Sequence, residues 1–216
     1  SAQAHDAGLL VIMDAKRGDI GSTAKAYAAA WLGSGSAYQA DALTINPYLG
    51  RDSLTPFYEQ ALATQSGLFI LTRTSNPGSA DIQQLDADKM LVWEHVAEML
   101  STDIHSAKQP DTLLSPIGIV AGATGPDEAG RLREILPSAP FLIPGYGAQG
   151  ATAAEATAGL ITDASGALTG GVVNASRAIS HNRQALDAPD EERYIEAVRT
   201  AIEHANADLN ASVSAG

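Results

Sequence analysis

Apolar residues gather in short runs along this chain, and the stretches between the runs carry apolar positions at helical spacing. The runs at residues 9–13 (LLVIM), 42–45 (ALTI), 68–71 (LFIL), 117–120 (IGIV), 141–143 (FLI) and 168–173 (LTGGVV) read as strands. Helices are predicted over 20–31, 53–65, 89–100, 127–136 and 152–157, with a charged terminal helix over 190–209 packing across the body. This alternation is the pattern of a parallel sheet with helical crossovers. The strands lack strict polar alternation, as expected when helices cover both faces.

Polar residues collect where the strands end: Asp14 and Lys16, Asn46, Thr72, Thr74 and Ser75, Thr124, Gln149, then Ser176 and Arg177. In a (β/α)8 TIM barrel such ends converge on one mouth, whereas an open doubly wound sheet strings them along a crevice. Convergence favours the barrel, although six βα units are two short of it. No linker or low-complexity segment divides residues 1–216, so a single barrel domain is expected.

Composition narrows the partners. The chain has 13 basic and 25 acidic residues, a net charge of −12, which argues against nucleic acid because phosphate backbones need a basic face. An anionic small ligand would have to be gripped by locally placed Lys or Arg. There is no cysteine, which excludes disulfides and thiolate metal sites. No apolar run is long enough for a membrane span and no secretory signal pattern opens the chain, so a cytoplasmic protein with no membrane partner is expected. The five histidines show no metal-ligand spacing, and no metal site is expected.

Three stretches carry candidate chemistry. In "DAKRGD", Asp14, Lys16 and Asp19 follow D-x-K-x-x-D, with Asp14 and Lys16 on one face of the strand. One reading is a surface ion pair followed by a carboxylate at a helix start. The other is an array at the mouth whose carboxylates keep an ammonium protonated, as a proton donor to carbon requires. "PGYGAQG", residues 144–150, is either a glycine-rich turn or a loop whose backbone N–H groups and Gln149 amide approach a ligand. In "NASRAI", Arg177 opens a short helix at a strand end and offers the fork geometry that phosphate prefers, or else is solvated.

In this order and spacing, "DAKRGDI", "TSNPG", "VAGAT", "PGYGAQG" and "NASRAI" resemble the orotidine 5′-monophosphate decarboxylase family, in particular its longer bacterial subgroup. The resemblance covers essentially the whole chain. It implies decarboxylation of orotidine 5′-monophosphate to uridine 5′-monophosphate, the last step of pyrimidine nucleotide synthesis, with neither metal nor organic cofactor. By the same resemblance, Asp14 crowds the substrate carboxylate and Lys16 protonates the carbanion at C6 of the pyrimidine. Asp19 and, near the ribose, Thr23 are supplied to the neighbouring site of a homodimer. Ser75 hydrogen-bonds the pyrimidine, Pro144 flanks it, and Gln149 and Arg177 grip the phosphate. The family's barrel begins with two further βα units, carrying an aspartate that contacts the ribose and a lysine that completes the array. The chain therefore matches strands three to eight, and the missing units would bring it to roughly 280 residues. Two other readings share these motifs: a Mg2+-dependent sugar-phosphate decarboxylase or aldolase of the same superfamily, and a non-catalytic nucleotide-binding remnant.

Overall fold

The computed structural model describes residues 1–213. Six apolar runs pair side by side in chain order, all parallel, into a curled open sheet: β1 (Ile12–Arg17), β2 (Ala42–Ile45), β3 (Gly67–Arg73), β4 (Ile117–Ala121), β5 (Phe141–Pro144) and β6 (Gly171–Asn174). The crossovers are α1 (Gly21–Leu32), α2 (Thr55–Thr64) entered through a 3-10 turn at Arg51–Leu54, α3 (Val92–Ala107), α4 (Pro126–Ile135) and the short α5 (Ala153–Thr157). Two single-turn helices follow β6, α6 (Arg177–Ser180) and α7 (Arg183–Leu186), before the long α8 (Glu191–Val213).

Both faces of the sheet are apolar. On the helix side, Leu43, Ile45, Leu68, Ile70, Ile117, Ile119, Phe141 and Ile143 pack in one cluster with side chains such as Ala28 and Leu32 of α1, Phe57 of α2, Leu100 of α3 and Leu132 of α4. On the concave side, Ala42, Phe69, Val120 and Leu142 form a second, smaller cluster flanked by Ile12 and Leu71. Residues Asp14 and Thr44 continue that concave row toward the C-terminal ends of β1 and β2, where apolar packing gives way to polar groups.

Strand β1 lies further along the chain than residues 9–13. Leu9 and Leu10 are 61% and 84% exposed, and ladder pairing begins at Ile12 against Ala42. The Asp41 carboxylate sets that start: it accepts the Val11 N–H at 2.6 Å and pairs with His5 at 2.9 Å. The Val11 bond, with His5 adding to it, holds the Asp41 carboxyl below its usual range. The run at 168–173 also divides. Gly170, at φ +92°, breaks it, so that Leu168–Thr169 pairs back on Ile161–Thr162 as an antiparallel hairpin and only Gly171–Asn174 joins the sheet. A second hairpin, Asp86–Ala87 with Met90–Leu91, occupies the start of the expected 89–100 helix. Its tip residues Asp88 and Lys89 both have positive φ, the geometry of a two-residue primed turn, and α3 follows at Val92.

Candidate active site

At the end of β1 the strand bulges. Met13 pairs with Leu43 and Arg17 with Ile45, so three residues of β1 face Thr44 alone, and Lys16 takes a left-handed backbone at φ +50°. The simple alternation that puts Asp14 and Lys16 on one face is thus interrupted, yet the two meet: Lys16 Nζ lies 2.6 Å from Asp14 Oδ2. Both side chains are more than half exposed, 51% for Lys16 and 59% for Asp14. An ion pair that open to water contributes little to stability. Its value lies in presenting an ammonium and a carboxylate together above the concave face. Behind them Thr44, fully buried, accepts the Lys16 N–H and donates to Asp14 Oδ1, each at 2.9 Å.

Across the sheet, the loops after β3, β4 and β5 and the start of α6 border an open cleft of about 680 Å3. Its lining includes Ser75, Thr124, Gln149, Arg177 and Arg73. Three of the residues singled out from the sequence, Ser75, Gln149 and Arg177, therefore share one space. Ser75 is seated by two glycines. A Cβ on Gly122 would come 2.8 Å from the Ser75 nitrogen, and one on Gly145 would come 3.2 Å from the Ser75 Cβ. Gly145 and Gly147 also take positive φ, at +114° and +71°, which lets the loop fold back over the end of β5. Pro144 closes that strand, half-buried, and accepts the Ala123 N–H at 2.8 Å.

Gln149 and Arg177 are exposed, and no ion pair holds Arg177 among the described residues. A guanidinium without a carboxylate partner is available to an anion. Arg73 is different: it is buried, donates to the Thr74 carbonyl and Ser79 Oγ, and lies 3.3 Å from Glu128. These bonds fasten the loop that carries Ser75. Tyr146, in the middle of the glycine loop, donates to Asp208 of α8 at 2.7 Å. Burial, then that carboxylate, pushes the phenol up to about 12.

Asp19 and Thr23 are joined to the Asp14–Lys16 pair by no hydrogen bond or ion pair among the described residues. Asp19 accepts the Ile20 N–H at 2.8 Å, and Thr23 is exposed on the first turn of α1. Among the described residues no group of three or more His, Asp or Glu is placed to hold a metal ion, and no helix is long and apolar enough to cross a membrane. Sequence reasoning missed Thr44 and Arg73. The signal for Thr44 was a hydroxyl inside an otherwise apolar strand, and for Arg73 a charge at the end of one.

Comparison with known proteins gives this geometry its context. Residues 1–192 match the model of the orotidine 5′-phosphate decarboxylase / HUMPS family. The orotidine 5′-phosphate decarboxylase of Rhodopirellula baltica is 44% identical over 96% of the chain, and that of Halorubrum lacusprofundi 41% over 97%. The chain spans 70% and 71% of those two relatives. The structure of Leishmania donovani OMP decarboxylase superposes with a TM-score of 0.69 at 33% identity, covering 94% of this chain and 70% of that one. With the family model matched over most of its length and relatives above 40% identity, the chain belongs to the orotidine 5′-phosphate decarboxylase / HUMPS family.

Proposed function

We propose that this protein decarboxylates orotidine 5′-monophosphate to uridine 5′-monophosphate in pyrimidine nucleotide synthesis. The observation that carries the reading is the pairing of two features at the C-terminal edge of one parallel sheet: the exposed Lys16–Asp14 pair, and a cleft lined by Ser75, Gln149 and Arg177. Arg177 and the Gln149 amide hold the phosphate, Ser75 hydrogen-bonds the pyrimidine, and Pro144 packs against the ring. Asp14 lies beside the substrate carboxylate, where like charge destabilises the bound ground state. The bond from C6 to the carboxyl carbon breaks, carbon dioxide departs, and the electron pair stays on C6. The Lys16 ammonium then donates its proton to C6 and is reprotonated from water. Phosphate binding far from the reacting carbon supports the strain at that carbon. Neither metal nor organic cofactor takes part.

Asp19 and Thr23, which make no hydrogen bond or ion pair with Asp14 or Lys16 among the described residues, serve the neighbouring site of a homodimer. In this reading the stretch described here supplies strands three to eight of a closed (β/α)8 barrel forming one domain, and the enzyme works in the cytoplasm. Mixing Asp14→Ala subunits with Asp19→Ala subunits is expected to regenerate activity in the hybrids; inert hybrids in confirmed dimers would argue for a self-contained site.

The direct test follows the loss of orotidine 5′-monophosphate absorbance with chelator present. Turnover should persist, and Lys16→Ala should lower kcat by roughly 10^2- to 10^4-fold, the range of a lost general acid. A strict requirement for Mg2+ would move the protein to the sugar-phosphate branch. Full activity in Lys16→Ala would remove Lys16 from the mechanism.

A further inference from the structure

We infer that Thr44 is the positioning residue of the charged pair, fixing through one buried hydroxyl both the backbone of Lys16 and the carboxylate of Asp14. The inference rests on the decarboxylase reading above. Its starting point is the bulge: with Met13 opposite Leu43 and Arg17 opposite Ile45, the Lys16 N–H has no ladder carbonyl to bond. A buried or half-buried N–H left in that state is costly, and Thr44 Oγ1 takes it at 2.9 Å. The hydroxyl's own hydrogen goes to Asp14 Oδ1 at 2.9 Å, because the competing Met13 carbonyl stands at 3.5 Å. Asp14 Oδ2 is then left for the ammonium of Lys16 at 2.6 Å.

Two facts make this a matter of aim rather than of packing. Lys16 sits at φ +50°, a conformation that costs a residue with a side chain roughly 1 kcal/mol or more and persists only where its surroundings impose it. The Lys16 and Asp14 side chains are both largely exposed, so their mutual contact alone would not hold either in one rotamer. Thr44 is 0% exposed and lies between Leu43 and Ile45 in a strand that is buried throughout. Valine would fill the same space without the cost of burying a hydroxyl. What only threonine or serine supplies there is an oxygen that accepts from one partner and donates to the other.

The test compares Thr44→Val, Thr44→Ser and wild type, each in the protein at its full natural length, by steady-state turnover of orotidine 5′-monophosphate. Removing a hydrogen bond to a charged group is expected to lower kcat about ten- to hundredfold in Thr44→Val, while KM, set by the remote phosphate and ring contacts, stays within about threefold. Thr44→Ser is expected to recover kcat to within about threefold of wild type. A structural role alone would not separate valine from serine in this way. The role is overturned if Thr44→Val keeps wild-type kcat, or if serine and valine are impaired alike. Should thermal melts show Thr44→Val unfolded, Thr44→Cys, close in size with a weak donor, is expected to show a kcat well below that of Thr44→Ser; a cysteine variant as active as wild type overturns the inference. Wild type without turnover would bring down the decarboxylase reading and this role together, whereas an active wild type with an indifferent Thr44→Val brings down the role alone.

Discussion

Ser75 owes its place to what Gly122 lacks. The hydrogen atom on Gly122 faces the Ser75 backbone, and a methyl there would meet its nitrogen at 2.8 Å, its Cα at 2.9 Å and its Cβ at 3.0 Å. Gly122→Ala must therefore push the Ser75 loop off β4 or distort β4 itself. We expect a loss of stability of about 1–3 kcal/mol, the usual cost of overpacking, together with a raised KM for orotidine 5′-monophosphate. Chemical denaturation and steady-state kinetics check the two parts; a variant unchanged in both would mean the loop yields freely. Candidate polar residues stand out along the chain wherever an apolar run stops. Asp14, Lys16, Gln149 and Arg177 could be picked out because charged or amide side chains stand where apolar runs stop. Thr44 and Arg73 show only as a hydroxyl and a charge in apolar runs, and their roles depend on register and burial. The bulge that turns Thr44 toward Lys16 leaves no mark in the order of residues, and nothing in the order of residues shows that the strand-end Arg73 is buried and bonds Ser79.

Among elements, α8 acts as a strap over the last third of the sheet. Its Asp208 accepts from Tyr146 of the glycine loop at 2.7 Å, Ser212 lies 3.1 Å from Thr157 of α5, and Tyr194 reaches the Ser180 carbonyl of α6 at 3.3 Å. The strap gives stability a pH dependence with a definite sign. Tyr146 has its phenol raised from 10.0 to about 12 in the folded protein, so its share of stability is complete below pH 10 and is lost as pH rises toward about 12. Tyr146→Phe is expected to be less stable at neutral pH by about 1 kcal/mol, with the gap to wild type closing between pH 10 and 12. Melting curves over that range decide it; a gap that stays constant would mean Tyr146 does not titrate in the fold's favour. The helices themselves were readable from apolar spacing, and the ends of α1, α2, α4 and α5 fall within two residues of the predicted ones, whereas α3 runs to Ala107 rather than 100 and α8 to Val213 rather than 209. The two hairpins were not. Each depends on positive φ at its tip or break, at Asp88 and Lys89 in one and Gly170 in the other, and only the glycine advertises that conformation.

At the scale of the whole molecule, the account depends on two distant groups working on one substrate. Lys16 stands near the C-terminal end of β1 and Arg177 follows β6, the two strands at opposite borders of the sheet, and because every strand is parallel both lie at the same C-terminal edge. Curling brings those borders toward each other, which an open flat sheet would not do. The parallel architecture could be inferred from the βα alternation alone. That β1 and β6 each pair on one side only follows from the pairing itself, which no local pattern encodes. If remote phosphate binding supports bond breaking at the far end, the benefit should depend on Arg177. The decisive measurement is kcat/KM for orotidine 5′-monophosphate and for orotidine, which lacks the phosphate, in wild type and Arg177→Ala. The account predicts that Arg177→Ala loses about ten- to hundredfold on the phosphorylated substrate and almost nothing on orotidine. Equal losses on both substrates, or no loss on either, would contradict it.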